Sequence, residues 1–318
     1  MKIACESIDR LVTTEVRLPY LDRGIIPALY EAARDGGDPI VYQIANAIID
    51  CIKSTPGRFG LITGFWDPQW MPDGENDGPI GAVVLGKALT LLGAQVLHCV
   101  EKEVVPVMKK MCERLDTTAE FRILSRDSAE QNAYLVDDLD AAIFIEKCGP
   151  SKEGIHHLAT GPAREGRDAP LEMFLEQMTA AGKLSIGTGD VGNEIGFGKI
   201  YEQAREIVPA GKVCKCPAQD GIITALATNY LLPACTSNIG AYGMVAGLEI
   251  VSGNLELLHT PEEEIDLIDI CADMNCIDGG FGIATDYVDG IPAKAVAAQV
   301  ELLRAIVRSF FTTEKRPF

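Results

Sequence analysis

The sequence predicts an α/β fold, in which a doubly wound, mainly parallel sheet carries helices on both faces and follows a helical N-terminal extension. Three observations lead to this prediction. Short apolar runs alternate along the chain with segments whose apolar residues recur at helical spacing. The run 141–145 is apolar throughout, as in a strand that is buried on both faces. No repeat and no linker divides the chain, so we expect residues 1–318 to form one domain.

The N-terminal extension, residues 1–58, is predicted to be helical. Between Pro39 and Pro56 a stripe of apolar residues has helical spacing and forms a packing face: Ile40, Ile44, Ala47, Ile48 and Ile52. The stretch 11–34 has no such clear period. We expect it to lie as an arm against the main body, or against a partner subunit in a homo-oligomer.

Beyond the extension, strands and helices are expected to alternate in a Rossmann-like arrangement. Strand-like runs lie at 59–63, 95–100, 121–124, 141–145, 184–186, near Val213 and before Pro233, with a further apolar run at 222–227. Helical patterns lie at 79–92, 104–115, 170–181, 239–251, from 260 onward and at 292–307. Pro79 suits a first helical turn, and Gly93 suits a helix end.

Charge and composition exclude several classes of partner. The formal net charge of −18 opposes binding to nucleic acid and to anionic membranes. No apolar run approaches the ~20 residues that a membrane span needs. The first residues do not resemble a signal peptide, so a cytoplasmic location is predicted. The ten cysteines are scattered, and we expect reduced thiols. Cys214 and Cys216 form the closest pair, which alone is weak evidence for zinc.

A glycine-rich stretch, residues 183–199, stands out as a strand, a tight turn and a helix in succession. One interpretation is a dinucleotide fingerprint, G-x-G-x-x-G, formed by Gly187, Gly189 and Gly192. Asp190 inside that turn would repel a pyrophosphate, and the motif lies past the middle of the chain. The other interpretation is an oxygen-rich site for an amine-bearing substrate or a hard metal ion, built on Asp190, Asn193 and Glu194. Asn193 alternatively caps the following helix.

Acidic residues follow three of the predicted strands. They are Glu75 and Asp77, Glu146, and Asp190 with Glu194. Because ligands of an open parallel sheet bind beyond the carboxyl ends of its strands, these acids are expected to converge. Asp77 alternatively caps the helix that begins at Pro79, and Glu146 alternatively pairs with Lys147 or with a loop arginine.

The motif Gly189-Asp-Val-Gly-Asn-Glu-Ile-Gly-Phe-Gly-Lys199 resembles the signature of the C-terminal domain of the D-glutamate cyclase family. Further stretches resemble that family in the same order: 63–65 with 74–81, 145–149, 237–242 and 288–292. The likeness covers most of the chain. Val191 stands where the family usually has glycine, and His156 and His157 stand where an aromatic pair is usual.

The resemblance implies a lyase of D-amino acid metabolism that converts D-glutamate to 5-oxo-D-proline and water, without a nucleotide. The reaction needs a base for the α-amine, neutralisation of the γ-carboxylate, and a bent substrate. We assign the base, or a metal ligand, to Asp190 or Glu194, and the orientation of the substrate to Asn193. A divalent Mg²⁺ or Mn²⁺ would be held by Glu75, Asp77 and Glu146.

The substrate is expected to bind Gly187, Gly189, Gly192, Lys147, Arg164, Ser237 and Asn238. Lys147 or Arg164 would hold the α-carboxylate. Two functions from other classes remain as alternatives. One is a nicotinamide-dependent oxidoreductase that uses the loop from Gly187 to Gly192, and the other is a non-catalytic binding protein for a small metabolite. His157 is a secondary candidate for the site.

Overall fold

The computed structural model describes residues 1–18 and 22–313. Within these residues, six parallel strands form the central sheet: β1 (Arg58–Thr63), β2 (Gln95–Val100), β3 (Glu120–Ile123), β4 (Ala141–Ile145), β5 (Leu184–Gly189) and β6 (Tyr230–Pro233). The strand order is β3-β2-β1-β4-β5-β6. The chain builds outward from β1 in one direction, then returns and builds outward from β4 in the other. β1 and β4 therefore flank the topological switch point.

Eleven α-helices lie within the same described residues. They are α1 (Lys2–Val12), α2 (Ile25–Arg34), α3 (Ile40–Ser54), α4 (Pro79–Leu91), α5 (Val105–Arg114), α6 (Ala129–Ala133), α7 (Glu172–Ala180), α8 (Tyr201–Ile207), α9 (Ser237–Ser252), α10 (Pro261–Asp273) and α11 (Ala293–Phe311). A short antiparallel pair joins β7 (Tyr287–Val288) to β8 (Ile291–Pro292). None of these helices has the length and apolar character needed to cross a membrane.

Helices cover both faces of the sheet, which confirms the predicted doubly wound α/β class and the helical N-terminal extension. In β4, Ile143 and Ile145 belong to the larger core with α4 and α9, whereas Ala142 and Phe144 face the smaller core with α7. This alternation follows from the two-residue period of a strand. The entirely apolar run that predicted β4 reflects burial on both sides.

The helix α9 lies at the centre of the larger helical layer, where it packs against α1, α3, α4 and α11. Its glycines permit this close approach. An added Cβ at Gly240 would lie 2.1 Å from Thr188 Oγ1 in β5, and one at Gly247 would lie 2.3 Å from Val41 Cγ1 in α3. The small face of this helix thus contacts more than one element.

The extension wraps back onto the main body. After α1, Cys235 N donates to Val12 O at 2.8 Å, and Val16 N contacts Cys235 Sγ at 3.3 Å. We name residues 13–18 the N-terminal arm. The arm brings Arg17 to the carboxyl ends of β5 and β6.

The strand predicted near Val213 is wrong. That segment and the apolar run 222–227 are irregular, and in the central sheet β6 is the strand that follows β5. Ile222 and Ile223 are apolar because they bury against α2 and α8, not because they pair in the sheet. The main-chain groups of this region bond to loops instead, as Thr224 N does to Gly192 O at 3.0 Å. The short α6 and the β7-β8 hairpin were not predicted.

Candidate active site

A cavity of about 210 Å³ opens beyond the carboxyl ends of β1, β4 and β5, at the switch point of the sheet. Its charged and polar lining comes from separate parts of the chain: Arg17, Glu75, Glu146, Asp190, Asn193 and Asp289. Phe65, Met71 and Leu158 add apolar wall, and Gly279 and Gly280 form another side. The volume suits a small metabolite rather than a drug-sized ligand.

Glu194 holds the turn that follows β5. Its Oε1 accepts from Asp190 N at 3.0 Å and Val191 N at 3.1 Å, and its Oε2 accepts from Gly192 N at 2.7 Å. Burial, and then Asp190, raise the pKa of Glu194 to about 8, although these backbone N–H groups favour the ionised form. Glu194 therefore shapes the loop that presents Asp190 and Asn193.

The glycines of this motif make room for the protein's own chain. An added Cβ at Gly187 would lie 2.4 Å from Ile195 O, and one at Gly189 would lie 2.7 Å from the Glu194 carboxyl carbon. Gly192 has φ +101°, a conformation that favours glycine. Of these three, none lines the cavity. In addition, the three amides that a pyrophosphate would need already donate to Glu194, which counts against the dinucleotide interpretation.

Asp77 and Asn238 cap each other's helices. The Asp77 carboxylate accepts from Ser237 N at 2.9 Å and Asn238 N at 2.8 Å, at the start of α9. Asn238 Oδ1 in turn accepts from Gly78 N at 2.8 Å and Gly81 N at 2.7 Å, at the start of α4. Asp77 thus caps α9 and not α4, the helix that directly follows it. Asn238 has a structural role here, because its Oδ1 accepts from these two amides and its Nδ2 donates to Asn76 O at 3.1 Å.

Glu146 leaves the end of β4 in a strained conformation. Its φ is +49°, and Asp289 opposite it has φ +47°, both rare for residues with a side chain. Ser237 Oγ donates to Glu146 Oε2 at 2.6 Å and so orients the carboxyl group at the cavity wall. Strain of this kind is retained where the surrounding structure fixes a side chain for function.

Arg17 and Asp190 form a buried ion pair within the cavity wall. The guanidinium also donates to Cys235 O at 2.9 Å, and both side chains are less than a tenth exposed. Asn193 lies beside the pair. Its Nδ2 donates to His157 O at 2.9 Å, and its Oδ1 is buried with no partner among the described residues. An acceptor is therefore free at the edge of the cavity.

The clustered carboxyl groups raise one another's pKa values. Burial, and then Asp190, raise the pKa of Asp77 to about 7. Burial also raises the pKa of Glu146, helped by Glu194 and Asp190, and that of Glu75, helped by Asp77. The pKa of Asp289 is raised by burial and by Asp190. The site can therefore keep protons on some of its carboxyl groups near neutral pH.

Two predicted cationic ligands lie outside the cavity. Lys147 is fully buried, where its Nζ donates to Gly64 O at 3.0 Å and pairs with Glu101. Arg164 binds Asp168 at 2.9 Å and lies over the Phe65 ring at 3.5 Å. The structure thus does not support the predicted role of either residue in holding the α-carboxylate. Both residues support the cavity wall from behind. Arg164 packs on Phe65, which lines the cavity, and Lys147 binds the neighbouring Gly64.

The donor set fits a hard divalent cation. Glu146, Asp190 and Glu194 each offer a carboxylate oxygen within 4.8 Å of the others. Glu75 Oε1 and Asp289 Oδ1 approach the same side, because an added Cβ at Gly279 would lie 2.2 Å from the first and 2.6 Å from the second. Carboxylate oxygens are ligands that Mg²⁺ and Mn²⁺ prefer.

The structure brings together the five acids that the strand ends indicated, and it adds two residues that sequence reasoning did not assign. Asp289 lies in the Gly/Asp-rich loop before α11, within the stretch 288–292 that already resembled the family motif. Arg17 had no comparable local signal, because its place depends on the N-terminal arm crossing to Cys235.

Comparison with known proteins identifies the family of the chain. Residues 41–304 match the family described as D-glutamate cyclase-like, C-terminal. The human protein named D-glutamate cyclase, mitochondrial, is 27% identical over 195 residues. That match covers 57% of this chain and 30% of the human protein, so it spans less than a third of that relative's length. Because the family match covers most of the chain, the protein belongs to the D-glutamate cyclase-like, C-terminal family.

Proposed function

We propose that the protein is a lyase that converts D-glutamate to 5-oxo-D-proline and water. The observation that carries this proposal is the cavity at the switch point, where a buried arginine meets several carboxyl groups with raised pKa values. Membership of the family supports the choice of substrate and its handedness.

The proton balance of the reaction matches this chemistry. The substrate ammonium loses two protons as its nitrogen attacks the γ-carboxyl carbon, and the departing oxygen needs two protons to leave as water. No net proton is taken up, so the site has to move protons from nitrogen to oxygen. Buried carboxyl groups with raised pKa values, such as Glu146 and Asp289, are suited to this relay.

Asp190 is the proposed base, because it lines the cavity beside the unpartnered Asn193 Oδ1. The Asn193 oxygen would accept a hydrogen bond from the substrate ammonium. Arg17 would hold the α-carboxylate, since it is a cation in the wall next to Asp190. Glu146 and Asp289 would deliver protons to the departing oxygen. The small cavity would hold the chain bent for ring closure.

A bound Mg²⁺ or Mn²⁺ would neutralise the γ-carboxylate and offset the repulsion between it and the acidic wall. Glu146 and Glu75 are the residues we propose to hold it, and in that case Glu146 is ionised and Asp289 delivers the protons. Asp77, which the sequence also predicted as a ligand, is not among them, because both of its oxygens already accept main-chain N–H groups. Without a metal ion, the carboxyl groups of the wall would have to retain protons to reduce their repulsion of the γ-carboxylate.

The proposal is tested by incubating the full chain separately with D-glutamate and L-glutamate, each with EDTA, Mg²⁺ or Mn²⁺. Chromatography then measures 5-oxoproline. We expect product from the D form, and the EDTA samples report whether a cation takes part. Absence of product from either form under every condition would contradict the proposal. A rise in melting temperature with D-glutamate but no product would instead favour a binding protein.

A further inference from the structure

A second group of potential metal ligands lies behind the cavity wall, in a segment outside the acidic site. His157 Nε2 lies 3.4 Å from Cys216 Sγ, and Cys214 Sγ lies 3.0 Å from Cys216 Sγ. One ligand atom from each residue lies within 4.8 Å of the other two, and all three residues are buried. Two sulfurs and an imidazole nitrogen are a typical ligand set for zinc in proteins.

Main-chain polar groups surround the cysteine pair. Backbone N–H groups of Cys216, Asp220 and Gly221 interact with the Cys214 sulfur.

The spacing of the donors is close to that of a filled site. With Zn–S bonds of about 2.3 Å and tetrahedral angles, two ligating sulfurs would lie roughly 3.7 Å apart. Cys214 and Cys216 need only a small side-chain rotation to reach that separation from 3.0 Å. Three protein ligands leave the fourth position of a tetrahedral ion to water.

The location of the cluster suggests what a metal would do there. Lys215 N donates to Gly161 O at 2.9 Å, so the cysteine segment already pairs with the loop that carries His157. The residues after His157, Leu158 to Thr160, line the cavity, and His157 O accepts from Asn193. A metal at this point would fix the loop against the cysteine segment and so fix one wall of the cavity.

We propose that His157, Cys214 and Cys216 bind a thiolate-preferring transition-metal ion such as Zn²⁺, which holds the 148–168 loop in place. This site differs from the acidic site in its ligands and in the metals it prefers. It supplies no group to the proposed cyclisation, and its test requires no turnover.

The test uses the reduced full chain, freed of metal with a chelator, reloaded with ZnCl₂ and desalted. Mass spectrometry then measures zinc. We expect stoichiometric zinc in the wild type, and loss of that zinc in the double variant Cys214→Ser/Cys216→Ser. Cys51→Ser, a substitution in α3 outside the cluster, is the matched control and should keep it. Zinc retained in the double variant would overturn the proposal.

Titration of the wild type with Co²⁺ gives a second readout that does not depend on a variant folding. Thiolate-to-cobalt charge-transfer absorption is expected, together with slower hydrogen exchange of residues 155–164 when metal is bound. A spectrum typical of oxygen ligands alone would contradict the proposal. A Cys214–Cys216 disulfide in metal-free protein isolated without reductant, with no zinc uptake after reduction, would contradict it as well.

Discussion

The acids around the cavity differ in the structural contacts that they already make. Asp77 caps α9, Glu194 holds a turn, and Asp190 pairs with Arg17. Asp289 has a raised pKa and faces the cavity from the opposite side, beside Gly279. It is therefore the acid whose removal disturbs the proposed proton relay with least effect on the fold.

The substitution Asp289→Asn should lower turnover of D-glutamate by ~10²-fold or more. Asparagine tolerates the positive φ of this position, and it removes a carboxyl group whose burial opposes ionisation. The melting temperature should therefore stay equal or rise. Product formation and thermal unfolding are measured on the same preparation. Asp50→Asn, at an exposed position in α3, is the control, and turnover equal in both variants would remove Asp289 from the mechanism.

His98 in β2 should make part of the stability depend on pH. Burial lowers its pKa to about 4, from an ordinary value of 6.5. The unfolded chain then binds more protons than the folded one between these values, so stability present above pH 6.5 is lost as the pH falls toward 4. The shift corresponds to a loss of about 3 kcal/mol in unfolding free energy.

Chemical denaturation of the wild type and His98→Leu across that pH range checks this expectation. Leucine cannot titrate, and the ring packs on Phe121 without a partner for Nδ1 among the described residues. The variant should thus lose less unfolding free energy on acidification than the wild type. Equal losses in the two proteins would show that His98 is not the titrating group.

At the scale of elements, the mutual capping of α4 and α9 positions the site. Each helix begins at the carboxyl edge of the sheet, α4 after β1 and α9 after β6. Asp77 lies just before α4 and caps α9, whereas Asn238 lies in the first turn of α9 and accepts from the start of α4, so the two N-termini are held together beside Glu146. The pair explains how one edge of the sheet keeps so many charged groups in fixed places.

Asn238→Ala should destabilise the protein by about 1–3 kcal/mol, because it leaves the buried Gly78 N and Gly81 N without an acceptor. Asn46→Ala in the middle of α3 is the matched control, since its Nδ2 donates only locally to Tyr42 O at 2.7 Å. Unfolding in urea measures both variants. If Asn238→Ala is as stable as Asn46→Ala, the capping pair contributes nothing to folding.

At the scale of the whole molecule, the N-terminal arm brings Arg17 to a site whose other residues lie far along the sequence, such as Asp190. Arg17→Met should raise the KM for D-glutamate by about 10-fold or more, since a charge-assisted hydrogen bond contributes about 1.5–3 kcal/mol. Arg23→Met, just before α2, is the control, because Arg23 donates to Arg17 O at 2.7 Å and does not line the cavity. An unchanged KM in Arg17→Met would assign the α-carboxylate to another group.

Much of the architecture could be predicted because it depends on local patterns. Buried strands appear in the sequence as apolar runs, and acids in the loops that follow β1, β4 and β5 lie at one edge of a parallel sheet. Lys147 was predicted to bind the substrate. The positive φ of Glu146 redirects the chain, so the Lys147 side chain points to Glu101 instead. The place of Arg17 in the site was not predicted, and neither was the approach of His157 to Cys214 and Cys216. Non-local contacts bring these residues together, and such contacts leave no periodic signal in the sequence.

The most direct test of the proposed cyclisation of D-glutamate follows the reaction in both directions. Wild type and Asp190→Asn are given D-glutamate in one series and 5-oxo-D-proline in another, and the two compounds are measured over time. We expect the wild type to approach the same equilibrium mixture from either side, whereas folded Asp190→Asn slows both directions equally, by ~10²-fold or more. Equal rates in wild type and folded Asp190→Asn would contradict it.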